Sequence, residues 1–246
     1  MTVRVTFVGS GDAFGVGGRF QTCILVDAPG IRFAIDFGAS SLIALNKLEI
    51  DHTSIDTIVV THIHGDHVGG IPYMLMDGML AAKRTKPLTI IGPRDTETRM
   101  LEVNEVLFPG MHVMEPKFEL SYVETDLLES HSVDDLTITR YPAIHTVGTN
   151  PTSVRIEVAD KVISYTGDGE WNEHIPTLAA DADLFITECY YHQKPIRFHM
   201  NYPELKEHWG EISAKRTVFT HLGREMYAVR DDVPEECAFD GMVIEI

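Results

Sequence analysis

Six positions, His62-Ile63-His64-Gly65-Asp66-His67, carry three imidazoles and a carboxylate in the order His-x-His-x-Asp-His. Imidazole and carboxylate together suit zinc and its divalent neighbours. A lone histidine at a strand end is ordinarily a satisfied core residue. Three histidines this close repel one another once protonated, and ligation in the neutral form removes that conflict. The flanking residues explain how such a cluster is aimed. Residues 55–60, Ile-Asp-Thr-Ile-Val-Val, read as a buried strand, and Gly69-Gly70-Ile71-Pro72 breaks the chain and starts a helix. The donors therefore fall on a tight strand-to-helix turn, where a rigid scaffold can point several side chains at one place.

Three later residues stand where predicted strands end. His145 follows a strand over 136–142, Asp168 follows one over 161–166, and His221 follows one over 216–220. Each alone would pass as a surface or supporting residue. With the cluster they make seven donors, too many for one tetrahedral zinc and suited to two metals sharing a bridge. Zinc is the first choice for two divalent ions in such a site, with manganese or iron as alternatives.

The rest of the chain supplies the scaffold. A strand over 3–8 leads into the glycine-rich loop 9–18, GSGDAFGVGG. That loop lacks the Lys-Ser/Thr ending of a phosphate-binding loop and reads as a mobile wall of the site. Strands over 21–27 and 31–36 form a hairpin turned at Pro29-Gly30. Helices follow over 40–48 and 70–83, the second with Met74, Leu75 and Leu80 on its apolar face. A strand over 87–91, a helix over 94–108 and a strand over 117–123 complete the first half. The second half pairs strands over 150–158 and 161–166 across the two-residue turn Ala159-Asp160. A strand over 184–189 and a helix over 202–210 precede the last internal strand. This mixture of strands and interspersed helices predicts two β-sheets packed face to face with helices outside, in one domain spanning 1–246.

Bulk properties narrow the function. The 246 residues carry 44% hydrophobic and 23% charged side chains, ordinary for a globular protein. A net charge of −17 repels polyanions and disfavours nucleic acid as a partner. Two bound cations would still admit a small anionic substrate. Cys23, Cys189 and Cys237 are odd in number and form no CxxC pair; Cys23 and Cys189 read as small buried hydrophobes. A reducing, cytoplasmic setting is expected. The first residues lack signal-peptide architecture and no apolar run reaches membrane-spanning length, so no membrane partner is expected.

The donor pattern resembles the metallo-β-lactamase superfamily, and within it the ribonuclease Z-like branch without its tRNA-binding arm. The likeness rests on His64-Gly65-Asp66-His67-Val68-Gly69-Gly70-Ile71-Pro72 and on Lys86-Pro87-Leu88-Thr89-Ile90-Ile91-Gly92-Pro93. It continues in Asn150-Pro151-Thr152-Ser153-Val154-Arg155-Ile156-Glu157 and Ala182-Asp183-Leu184-Phe185-Ile186-Thr187-Glu188. The resemblance implies a four-layer αβ/βα sandwich (α+β/α/β) of two mixed β-sheets, with a two-metal site between the sheets. His62, His64 and His145 would hold one ion, Asp66, His67 and His221 the other, and Asp168 would bridge them. Asp36 would orient a ligand from behind. His199 stands where that branch has a second catalytic histidine, with Glu188 able to fix its tautomer.

Two departures matter. The branch's arm is inserted before the strand leading to Gly-Asp, where this chain has only Ala159-Asp160, and its His-Ser-Thr is His199-Met200-Asn201 here. The expected function is therefore a metal-dependent hydrolase using a metal-bridging hydroxide on a small-molecule ester, foremost a small or cyclic phosphodiester. Asp66, His199 and Glu188 are the candidate catalytic residues. Alternatives on the same site are carboxylic ester, lactone, thioester or sulfate ester hydrolysis, or a ribonuclease Z-type RNA endonuclease; a non-enzymatic metal-binding protein ranks last. The family's habit makes a homodimer compatible with this reading.

Overall fold

The computed structural model describes residues 2–194 and 196–246. Strands β1 (Arg4–Gly9), β2 (Cys23–Ala28) and β3 (Ile31–Ile35) form an antiparallel run, turned between β2 and β3 at Gly30, whose φ of 90° suits glycine. Strands β4 (Thr57–Val59), β5 (Leu88–Gly92) and β6 (Leu120–Glu124) then add in parallel. The last strand, β14 (Met242–Glu245), returns to pair with β1, giving the order β14-β1-β2-β3-β4-β5-β6.

The second sheet repeats this plan. Strands β7 (Ser130–Val133), β8 (Leu136–Pro142), β9 (Thr152–Val158) and β10 (Lys161–Tyr165) are antiparallel. Strands β11 (Leu184–Glu188), β12 (Thr217–Thr220) and β13 (Glu236–Cys237) continue in parallel. Each sheet thus has four antiparallel strands followed by three parallel ones.

Alternation along the strands decides the layers. Val26, Ile35, Val59 and Ile91 face the other sheet, where they meet Ile138, Ile156, Ile163 and Ile186 in one buried core. Their neighbours Leu25, Ala34, Ile58 and Ile90 face outward and are covered by helices α1 (Ser41–Lys47), α3 (Ile71–Leu80) and α4 (Thr96–Leu107). Phe185 and Phe219 do the same on the second sheet, under α5 (Ile175–Ala179), α6 (Tyr202–Glu207) and α7 (Arg224–Ala228). The four-layer sandwich expected from the sequence is the observed architecture. Met74 and Leu75 are buried as anticipated. Leu80 is instead 60% exposed, because α3 ends there and its last residue faces solvent.

One polar group crosses the interior. Arg140 lies on the inward face of β8 and is fully buried. Its guanidinium donates to the Val60 carbonyl (2.7 Å), the Ile91 carbonyl (3.1 Å), Thr125 Oγ1 (2.6 Å) and Thr152 Oγ1 (2.9 Å). Burial lowers its pKa to about 9. It ties the end of β4, where the His cluster begins, to the second sheet.

Candidate metal centre

The seven donors come together at one end of the sandwich, at the carboxyl ends of parallel strands. In parallel sheets those ends converge on a crevice where loops deliver functional groups. His62 follows β4, Asp168 follows β10 and His221 follows β12. Asp66 and His67 sit in α2 (Gly65–Val68), one helical turn whose start is His64. His145 arrives on the loop after β8.

Two groups form. His62, His64 and His145 bring three ring nitrogens together, with His64 Nδ1 3.0 Å from His62 Nε2 and 3.1 Å from His145 Nε2. Asp66, His67, Asp168 and His221 form the second group. There His67 Nε2 lies 3.3 Å from Asp168 Oδ1, and His221 Nε2 3.3 Å from Asp168 Oδ2. Asp168 Oδ2 also lies 4.0 Å from His145 Nε2, so this carboxylate stands between the groups.

Four of the rings are held from behind. His67 Nδ1 is 2.7 Å from Asp36 Oδ2, and His145 Nδ1 donates to the Phe198 carbonyl (2.6 Å). His221 Nδ1 meets Thr22 Oγ1 at 3.3 Å, and His62 Nδ1 meets Thr61 Oγ1 at 3.1 Å. These contacts leave Nε2 of each ring turned inward, the usual arrangement behind a metal-bound histidine. Asp36 itself is fully buried at φ 57° and also accepts from Thr61 N (2.7 Å) and Thr61 Oγ1 (2.8 Å). One carboxylate thus fixes both the strand end before His62 and the ring of His67.

The electrostatics fit a cation. Burial, reinforced by neighbouring rings, lowers the pKa of His62, His64 and His145, so they stay neutral and keep a lone pair for ligation. Burial opposes charge on His67, but Asp168, Asp66 and Asp36 outweigh it and raise its pKa well above the ordinary value. A buried ring among three carboxylates holds a proton where a divalent ion would serve. His67 Nε2 and Asp168 Oδ1 are buried and form no hydrogen bond, which is what an inward-facing donor set leaves behind. These residues fit a divalent metal.

A third group adjoins the second. Glu188, fully buried at the end of β11, accepts Gly169 N (2.9 Å) and Met200 N (3.2 Å) through Oε2 and holds His199 Nδ1 through Oε1. Burial alone would lower the His199 pKa; Glu188 reverses this and raises it to about 9. The His199 ring stands 5.0 Å from that of His145 and 6.3 Å from that of His221.

With this geometry in place, the chain can be compared with known proteins. The sequence family described as "Anti-Pycsar protein Apyc1" matches residues 3–239. The chain belongs to this Anti-Pycsar Apyc1 family. The chain itself is a metallo-β-lactamase-superfamily metallo-hydrolase of the ribonuclease Z-like branch. A ribonuclease Z of Lachnoclostridium phytofermentans is 34% identical over 144 residues, covering 58% of this chain and 45% of that protein. The chain therefore spans about half the length of that relative. A ribonuclease Z of Agathobacter rectalis is 25% identical over 94% of this chain and 91% of its own. Among solved structures, the metallo-β-lactamase fold protein YhfI of Bacillus subtilis superposes with a TM-score of 0.80 at 19% identity, covering all of both chains.

The sequence named all seven donors of the two groups, and Asp36. It missed Tyr190, whose ring stacks on His199 at 4.6 Å and 26°, because a loop tyrosine has no periodic or motif signal. It missed Arg19 and Asp12 for the same reason. The glycine-rich loop, expected as a mobile wall, is hydrogen-bonded throughout: Asp12 Oδ1 accepts Val16 N (2.9 Å), and Arg19 donates to the Ser10 and Val16 carbonyls within it and to the Leu222 carbonyl outside it. No helix among the described residues is long and apolar enough to cross a membrane. Cys23 and Cys189 are buried free thiols.

Proposed function

We propose that this member of the Apyc1 family is a dinuclear metal-dependent phosphodiesterase acting on a small or cyclic phosphodiester. His62, His64 and His145 would hold one ion, and Asp66, His67 and His221 the other, with Asp168 shared. Two divalent ions, zinc first, would supply Lewis acidity and a nucleophile at neutral pH. The chain's own residues do the rest. Asp36, Thr22 and the Phe198 carbonyl keep the ring nitrogens aimed inward. His199, charged through its contact with buried Glu188, stands at the edge of the cluster and can give a proton to a departing alkoxide.

That paired His199–Glu188 favours a substrate with an alkoxide leaving group over a thioester. A thiolate leaves without a proton, whereas an alkoxide leaving from phosphorus needs one. An open groove lined by Ala13, Gln21, Tyr73, Glu102, Val103 and Leu107 leads to the centre at Asp66 and offers a path for a small molecule. We read residues 1–246 as one unit working in a reducing, cytoplasmic setting. The second reading, RNA cleavage, is favoured by the ribonuclease Z relatives. Against it stand the net charge of −17 and the two-residue turn between β9 and β10. Assays of cyclic and linear phosphodiesters, phosphomonoesters, lactones, thioesters and a precursor tRNA, each with zinc or manganese, test the proposal. Efficient tRNA processing with idle phosphodiesters would reverse the order of the two readings.

A further inference from the structure

Arg19 closes the glycine-rich loop and is 8% exposed. Its guanidinium spends its donors on backbone: Nε to the Val16 carbonyl (2.9 Å), Nη1 to the Ser10 carbonyl (3.0 Å) and Nη2 to the Leu222 carbonyl. Its plane lies over the Tyr227 ring, 4.5 Å from the centroid. Burying a cation is costly, and here its donors are met by backbone carbonyls with Asp12 and Asp240 nearby.

The acceptors lie beside a ligand of the candidate centre. Leu222 follows His221 directly. The Ser10 carbonyl also receives the His221 N–H (3.2 Å) and Thr220 Oγ1 (3.3 Å). One rigid fork thus brackets His221 on both sides, through the carbonyl its own N–H bonds and through the carbonyl of the next residue. His221 needs such a bracket, because its φ of 54° is left-handed, a strained state for a residue with a β-carbon. The planar guanidinium fixes the separation of its acceptors; an ammonium would not.

We infer that Arg19 is a positioning residue for the Asp66/His67/Asp168/His221 half of the centre, setting the backbone of His221 so that Nε2 reaches Asp168. The inference rests on reading these residues as a metal site. Arg84 provides an internal comparison. It too is buried (3% exposed), donates to the carbonyls of Lys86 (2.7 Å) and Ile55 (2.6 Å), and lies over an aromatic ring, that of Phe118 at 5.4 Å. It does so at the end of β4 opposite His62, so losing it should harm stability and not metal binding.

The test is calorimetric titration of metal-free protein with zinc, with cobalt absorption spectra reporting the ligand geometry. Wild-type protein should take up two equivalents. Arg19→Met should keep one at wild-type affinity and weaken the other about 10–100-fold, the range for losing a group behind a ligand. Arg19→Lys should shift in the same direction, and it carries the test if Arg19→Met does not fold. Arg84→Met should lower the melting temperature yet bind both ions normally. Two equivalents of unchanged affinity in the Arg19 variants would overturn the inference while leaving the two-metal reading intact. So would equal weakening in Arg84→Met. Fewer than two equivalents in wild type would overturn the two-metal reading, and the inference with it.

Discussion

Replacing His199 with alanine separates the chemistry of leaving-group protonation from the rest of the site. A positioned general acid contributes about 10²–10⁴-fold to rate, or about 2.7–5.5 kcal/mol of barrier. Glu188 is fully buried and holds the ring from behind, and Tyr190 stacks on it at 4.6 Å, so His199 is well positioned and a loss of about 10³-fold is expected on an alkyl leaving group. The fold should tolerate the change. Glu188 Oε2 keeps its bonds from Gly169 N (2.9 Å) and Met200 N (3.2 Å), and Oε1, which loses its partner, can take up a proton because burial raises the Glu188 pKa. The assay compares kcat/KM for a cyclic alkyl phosphodiester with that for bis(p-nitrophenyl) phosphate, whose nitrophenolate leaves without a proton. The alkyl substrate should lose far more, with metal content unchanged. Equal losses on both substrates would refute the role of His199 as acid and point to substrate positioning instead.

Three further perturbations test the frame around it. His67→Ala should remove metal and activity together; unchanged metal content by elemental analysis would count against the ligand assignment. Asp36→Asn keeps the volume but loses an acceptor shared by Thr61 and His67, and should weaken metal affinity about 10–100-fold in a chelator competition. Arg140→Met leaves the Val60 carbonyl without its partner and breaks the tie between the sheets. With the relief of no longer burying a cation set against the lost bonds, the net cost is about 3 kcal/mol, a fall of roughly 6–12 °C in Tm measured by differential scanning calorimetry.

Much of the fold was legible because its signals are local. The run 136–142 alternates and forms β8 as read, but a buried arginine on its apolar face, Arg140, was not anticipated, because a charged residue in a strand ordinarily reads as solvent-facing. The turn at Ala159-Asp160 was read from composition; both residues adopt positive φ, 48° and 67°. The elements missed are short: β7 has four residues and pairs locally with β8, and the others also depend on partners farther along the chain. β13 has two residues and, among the described residues, pairs with β12 at the sheet edge, and β14 is held by β1 from the other end of the chain. α5 and α7 are five residues each, too short for a helical period to emerge.

The sequence by itself determined the His62–His67 cluster, because four donors on one tight turn are close whatever the rest of the chain does. It also determined that His145, Asp168 and His221 stand at strand ends. Only the tertiary structure decided that those ends meet. Strand register sets which residue points into the crevice, and a slip of one position would turn Asp168 or His221 away. The sandwich brings β4, β10 and β12 to one end, so the carboxylate of Asp168 stands between two groups of rings. It also decided the supports behind them. Asp36 and the Glu188–His199 pair were expected from the resemblance, but their contacts span 31 and 11 residues of chain, and Arg19 meets the Leu222 carbonyl across 203 residues, which no local pattern encodes.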